Sequence, residues 1–238
     1  MLNLALLISG GGTSAAAIIN AAKKDLKINP VLLIASKKGI SGIARIISLG
    51  FPKKNIHVVD PKNYSDSISF SGKLLYLCSR YKVDLIGQYG WLPKTPEKLI
   101  QKYKNRIINQ HPGPLDRSGI DFGGKGMYGR RVHAAVLYFR RETNHDFWTE
   151  ATTHFVTEQF DKGKVIKSKK IKILRTDAVE DLQKRTLPVE HQVQVAALKD
   201  FANNRIRIVR RKIPLIKKSE IGLLNQAKKA AIYLYPNG

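Results

Sequence analysis

The sequence is poor in the residues that make the commoner chemistries easy to see. Of its 238 residues one is a cysteine, Cys78, which excludes an internal disulfide framework and a cysteine-rich zinc site. No apolar run approaches the ~18 residues that a membrane-spanning helix requires. The opening apolar stretch, Met1 to Gly10, has no positive charge ahead of it and reads as a buried strand rather than a signal peptide. A cytoplasmic protein without a membrane partner is the expectation. There is no H-E-x-x-H, C-x-x-C or G-x-S-x-G motif, and the six histidines (57, 111, 133, 145, 154 and 191) lack metal-ligand spacing. No metal is expected. Acidic residues are scarce as well: 18 Asp and Glu stand against 42 Lys and Arg, leaving a net charge of +24.

What is present describes a globular chain. At 43% hydrophobic it can bury a core, and 8% aromatic content rules out disorder. The length fits one large domain or two small ones. Residues 1–119 hold 18 basic and 6 acidic residues and residues 120–238 hold 24 and 12, so each half carries +12 and no basic tail can be detached. Such a charge attracts anions of every kind, from nucleic acid to phosphorylated small molecules. Two basic stretches, Lys162 to Arg175 and Arg205 to Lys218, hold seven basic residues each and read as solvated faces. They lack the interleaved aromatics of single-strand binders, so nucleic acid is not the expected partner.

Apolar patterning alternates strand and helix. Strands are predicted over Leu2–Ser9, Val31–Ala35, Ile56–Val59, Val83–Gln88, Arg106–Asn109, Thr152–Thr157 and Val165–Ile173. Helices are predicted over Ala15–Ala22, Gly42–Leu49, Ser65–Arg80, Val132–Phe139 and Ala178–Phe201. The expected fold is α/β: a Rossmann-like, mostly parallel twisted sheet with helices on both faces. Between them lies a loop over residues 110–129 with six glycines and two prolines, long enough to expect function from it. Ile206 to Gly238 is basic and poorly patterned.

Two glycine motifs compete for attention. Gly10-Gly11-Gly12-Thr13-Ser14-Ala15 fits G-x-G-x-x-G/A between a strand and a helix. Its glycines let backbone approach an anion at a helix N-terminus. The acid that would hold a ribose after the second strand is replaced by Ser36-Lys37-Lys38, so a phosphate site is expected there rather than NAD. A plain turn capped by Ser or Thr is the other reading. The second motif, Gly119 to Gly126, matches G-x-x-x-x-G-K but has glycine where a P-loop needs Ser or Thr. Lys125 there reads as a loop cation able to close over a phosphate.

The most informative segment is Asn109-Gln110-His111-Pro112. Asn109 ends a predicted strand, where α/β sheets bind ligands, and Asn109 and His111 alternate onto one side of it. An amide beside an imidazole can stabilise charge developing on a carbonyl oxygen. Downstream lies Thr153-His154-Phe155-Val156-Thr157, followed by Asp161-Lys162-Gly163.

Together with the strand-glycine start, these segments resemble the folate-dependent formyltransferase family, most closely its branch acting on glycinamide ribonucleotide. The likeness runs from Asn3 to about Arg207 and implies the formyltransferase fold. It implies a catalytic trio of Asn109, His111 and Asp161, with 10-formyltetrahydrofolate as co-substrate and no metal. It places substrate phosphate at Gly11, Gly12, Thr13 and Ser14, ribose at Glu190, and folate at Trp91, Leu92, Val156, Thr157 and Asp161. Residues 1–205 would form the catalytic domain, with halves at about 1–108 and 109–205, and 206–238 a basic C-terminal extension. Monomer and homodimer both stay open. Sugar-nucleotide N-formyltransferases resemble the same family and would use the same trio. The roughly thirty residues after Arg207 are too few for the tRNA-binding domain of methionyl-tRNA formyltransferases. A basic Rossmann-like nucleic-acid binder is the alternative from another class.

Overall fold

The computed structural model describes residues 1–24 and 27–238. The chain divides into two compact units, one of residues 1–109 and 194–206, the other of residues 110–193 and 207–238. The seven strands follow the order β3-β2-β1-β4-β5-β6-β7.

In the first unit, β1 (Leu2–Ile8), β2 (Ile28–Ala35), β3 (Ile56–Val58), β4 (Leu85–Gln88) and the start of β5 (Ile107–His111) are all paired in parallel. Helices α1 (Thr13–Ala22), α2 (Ser41–Ser48), α3 (Ser67–Arg80) and α4 (Glu97–Lys102) lie between them in sequence. Parallel strands require such crossovers, and a strand covered on both faces is apolar throughout. β1 meets that demand: Leu4 to Ile8 are fully buried. Pro30, taken from the sequence as a break before the second strand, lies inside β2, where the register with β1 slips just after Leu4. A bulge is where a strand tolerates the missing N–H of proline. Helix α3 begins at Asp66, whose carboxylate accepts from the Ser69 N–H at 2.7 Å, one half of a capping box.

The second unit contains the end of β5, the 112–129 loop, α5 (Arg130–Thr143), and β6 (Trp148–Phe155) antiparallel to β7 (Val165–Lys172). Helix α6 (Val179–Ala202) starts in this unit and ends in the first. The segment 206–238, expected to be poorly patterned, contains a 14-residue helix, α7 (Ile221–Leu234). Its Leu224, Ala227 and Ala231 pack with Leu215 and Ile216 into one core with α5. The periodicity is weak because two of the three buried positions are alanines, so small side chains set a close helix–helix approach rather than a broad apolar stripe.

Candidate active site

Buried polar groups converge on the carboxylate of Asp161. Asp161 sits just beyond β6, in left-handed backbone at φ 56°. The turn that presents it depends on Gly163, where an added Cβ would come within 1.6 Å of the Phe155 carbonyl oxygen. The Phe155 N–H in turn donates to the Lys164 carbonyl at 3.0 Å, folding the loop back on β6. The glycine of the Asp-x-Gly pattern is thus a steric requirement of this hairpin.

Two imidazoles flank the carboxylate. His111 Nδ1 lies 3.6 Å from Oδ2 and His154 Nε2 lies 3.4 Å from Oδ1. Both histidine side chains are buried. The Gly124 N–H donates to Oδ2 at 2.9 Å. Burial works against the charged carboxylate, but the facing His111 and His154 rings and the Gly124 N–H outweigh it and hold Asp161 well below the usual carboxylate range. For His111 the balance is reversed. Burial pulls its basicity below that of an ordinary imidazole, and the Asp161 charge offsets only part of the effect. Its Nε2 is buried without a hydrogen-bond partner. His133, also buried, is pushed down to about 4 by burial and by its proximity to His111.

Asn109 and His111 both lie on β5, two residues apart. Gln110, between them, donates from Nε2 to Glu190 Oε1 at 2.6 Å. Glu190 is buried on α6, and burial lifts its carboxyl to about 7 against the opposing Gln110 donor. Val156 is half-buried, while Thr157 is exposed, its hydroxyl donating to the Gln159 carbonyl. Lys125 is exposed on the glycine loop.

The first unit holds the other expected ligands. Gly12 caps α1 in left-handed backbone at φ 64°, and no side chain caps that helix. The Ser- or Thr-capped reading of this turn is therefore corrected: Thr13 and Ser14 are already inside α1, and its first N–H groups lack a side-chain acceptor. Gly12 and Gly42 of α2 touch backbone to backbone, and a Cβ on Gly42 would meet the Gly10 carbonyl oxygen at 2.5 Å. Arg45 Nε donates to the Gly11 carbonyl at 2.8 Å. Ser36, standing where a dinucleotide fold carries its acid, donates to Ser9 Oγ, which also accepts from the Leu92 N–H. Trp91 is buried with its indole Nε1 unpartnered, whereas Leu92 is about half exposed at 52%.

Sequence reasoning assigned no role to His154 or His133. The signal for His154 was its place in the Thr-His-Phe run at the end of β6, one residue before the backbone that Gly163 approaches. Among the described residues no group of His, Cys, Asp or Glu side chains is arranged to hold a metal ion. No helix among them is long and apolar enough to cross a membrane.

The formyl transferase family pattern matches residues 2–198. The chain belongs to the formyl transferase family. It is 33% identical over 222 residues to the chloroplastic phosphoribosylglycinamide formyltransferase of Arabidopsis thaliana, covering 91% of this chain and 71% of that one. It is 27% identical over 209 residues to the phosphoribosylglycinamide formyltransferase of Haemophilus influenzae, covering 87% of this chain and 91% of that one. The crystal structure of glycinamide ribonucleotide transformylase 1 from Symbiobacterium toebii aligns with a TM-score of 0.73 at 25% identity, over 88% of this chain and 94% of that one. Family membership places the mostly parallel seven-stranded sheet in the formyltransferase fold. The matched segment ends at residue 198, inside α6 and before α7.

Proposed function

We propose that this chain transfers the formyl group of 10-formyltetrahydrofolate to the amine of glycinamide ribonucleotide, a step of purine biosynthesis. The observation that carries the reading is the buried Asp161 carboxylate set between the His111 and His154 imidazoles, with Asn109 on the strand that bears His111. The relatives' names supply the acceptor.

Formyl folate, when bound, supplies the one-carbon unit already activated for transfer, and the buried, unpartnered Trp91 indole N–H is a donor fit for a polar edge of such a ligand. This chain's residues manage charge and protons. Asp161, ionised throughout, faces Nδ1 of His111 and favours the tautomer with its proton on that nitrogen. The lone pair is left on Nε2, which has no protein partner and is free to take up the proton that the attacking amine loses. Once charged, the imidazolium is stabilised by the adjacent carboxylate and joins the Asn109 amide in donating to the developing oxyanion; as that oxyanion collapses, the bond from the formyl carbon to N10 breaks and N10 takes the proton, releasing tetrahydrofolate and the formylated amine. The 3.6 Å separation between His111 and Asp161 is longer than a hydrogen bond, as is common before substrate tightens a site.

The glycine turn at Gly11, Gly12, Thr13 and Ser14 holds the substrate phosphate at uncapped N–H groups of α1. Glu190 takes the ribose, and Trp91, Leu92, Val156 and Thr157 line the folate. Lys125 adds charge from the glycine-rich loop. A cytoplasmic setting fits a lone cysteine that is buried and free. The test is a choice of acceptor: the purified chain is given 10-formyltetrahydrofolate with glycinamide ribonucleotide or with aminodeoxy sugar nucleotides. Formylation of the ribonucleotide is expected, and a preference for the sugar nucleotides would replace the reading.

A further inference from the structure

The Asp161 carboxylate is held by a peptide group that is itself held from outside the family segment. The Gly124 N–H donates to Asp161 Oδ2 at 2.9 Å. The carbonyl of the same peptide unit, that of Gly123, accepts from Lys228 Nζ at 2.7 Å. Lys228 lies on α7, beyond the residues that the family pattern matches. Gly123 is packed against the Asp161 side chain, since a Cβ there would meet Asp161 Cβ at 2.7 Å. The Gly123 N–H is fixed in turn by the buried Asp121 carboxylate at 2.9 Å.

We infer that Lys228 is a positioning residue for Asp161, acting through the Gly123–Gly124 peptide and so making α7 part of the working site. An ammonium at a peptide oxygen draws electron density along the amide and strengthens its N–H as a donor, so the two bonds support each other. The charged groups around the Lys228 ammonium are Asp121, Asp161 and Lys162. It is half-buried, and burial lowers its basicity against the attraction of the two carboxylates. The other end of α7 is tied to the same loop. Arg131 donates to the Gly126 carbonyl at 2.9 Å and to the carbonyls of Tyr235 and Pro236 at 2.7 and 2.6 Å. A glycine-rich loop has high intrinsic freedom, and clamping it at Gly123 and Gly126 limits that freedom where Asp161 needs a fixed donor.

The inference rests on Asp161 serving formyl transfer, and the experiment separates the two claims. Full-length wild type, K228M, K228Q, K228R and the exposed-neighbour control K229M are assayed for formylation of glycinamide ribonucleotide. An inactive wild type would sink the reaction assigned above; everything else bears on Lys228. The expected result is a kcat reduced tenfold or more in K228M and K228Q, with KM for the ribonucleotide within twofold of wild type. K228R should recover part of the loss, and K229M should match wild type. Loss of the cation should also let the Asp161–His111 pair take up its proton at higher pH, moving the acid limb of kcat upward in K228M and K228Q. Amide exchange at Gly124 should quicken in K228Q while β6 and β7 amides stay protected. An unchanged kcat with an unmoved acid limb would overturn the inference, as would unchanged Gly124 exchange in K228Q. Equal losses in K229M would do the same.

Discussion

Burial at Glu190 sets a measurable pH dependence. Its carboxyl is lifted to about 7 from an ordinary 4.5, so between those values the folded chain keeps a proton that the unfolded chain has released. The stability this contributes is complete below pH 4.5 and is lost as pH rises through about 7. The total is of order 3 kcal/mol. The E190Q variant removes the titration, so its melting temperature should fall less than that of wild type between pH 5 and 8. Equal slopes in the two proteins would show that Glu190 titrates normally. At this scale strand alternation pointed to Asn109 and His111, and Asp161 followed only from the family resemblance. The sequence did not display the second imidazole, because His154 reaches Asp161 only after Gly163 turns the chain back along β6. A contact between residues on either side of a turn has no signature in periodicity.

Elements place these residues, and the turn between β1 and α1 is the one most exposed to test. Gly42 leaves no room for a methyl: its Cβ would sit 2.5 Å from the Gly10 oxygen and 2.8 Å from Ile8 Cδ1. G42A should therefore push α2 away from the glycine turn, with a cost of about 1–3 kcal/mol from overpacking. KM for the ribonucleotide should rise at least tenfold while kcat at saturation changes little, which steady-state kinetics and a thermal melt together would measure. Long apolar runs made β1, β2 and β4 readable, since strands covered on both faces cannot hide their composition. Helices α4 and α7 were not readable: α4 has six residues, and α7 buries mainly alanine. Residues 207–238 pack into the second unit through Leu215, Ile216 and Leu224, residues too sparse to stand out among lysines.

The charge of the whole molecule remains to be accounted for. Ribonucleotide and folate are both anionic, and a net +24 raises the local concentration of each by long-range attraction. Such attraction is screened over ~8–10 Å at 0.1–0.15 M salt. kcat/KM should fall several-fold between 50 and 300 mM salt while kcat stays nearly constant, measured in stopped or continuous assays at fixed pH. A salt-independent kcat/KM would leave the charge without a role in substrate capture. A small part of that charge lies inside the protein. Arg211 pairs with the buried Glu150, and Arg140 lies fully buried among Phe122, Phe139 and Trp148. Formal charge therefore slightly overstates the surface field, a distinction that composition cannot make.

In the proposed mechanism one carboxylate, Asp161, works through His111 to move the proton of formyl transfer. Single-turnover formation of formylated glycinamide ribonucleotide, followed by mass in wild type, D161N and H111A with binding of both substrates checked separately, tests it most directly. Product is expected in wild type, with a rate lowered by at least a thousandfold in each folded, substrate-binding variant. Product formed by D161N at the wild-type rate would contradict it.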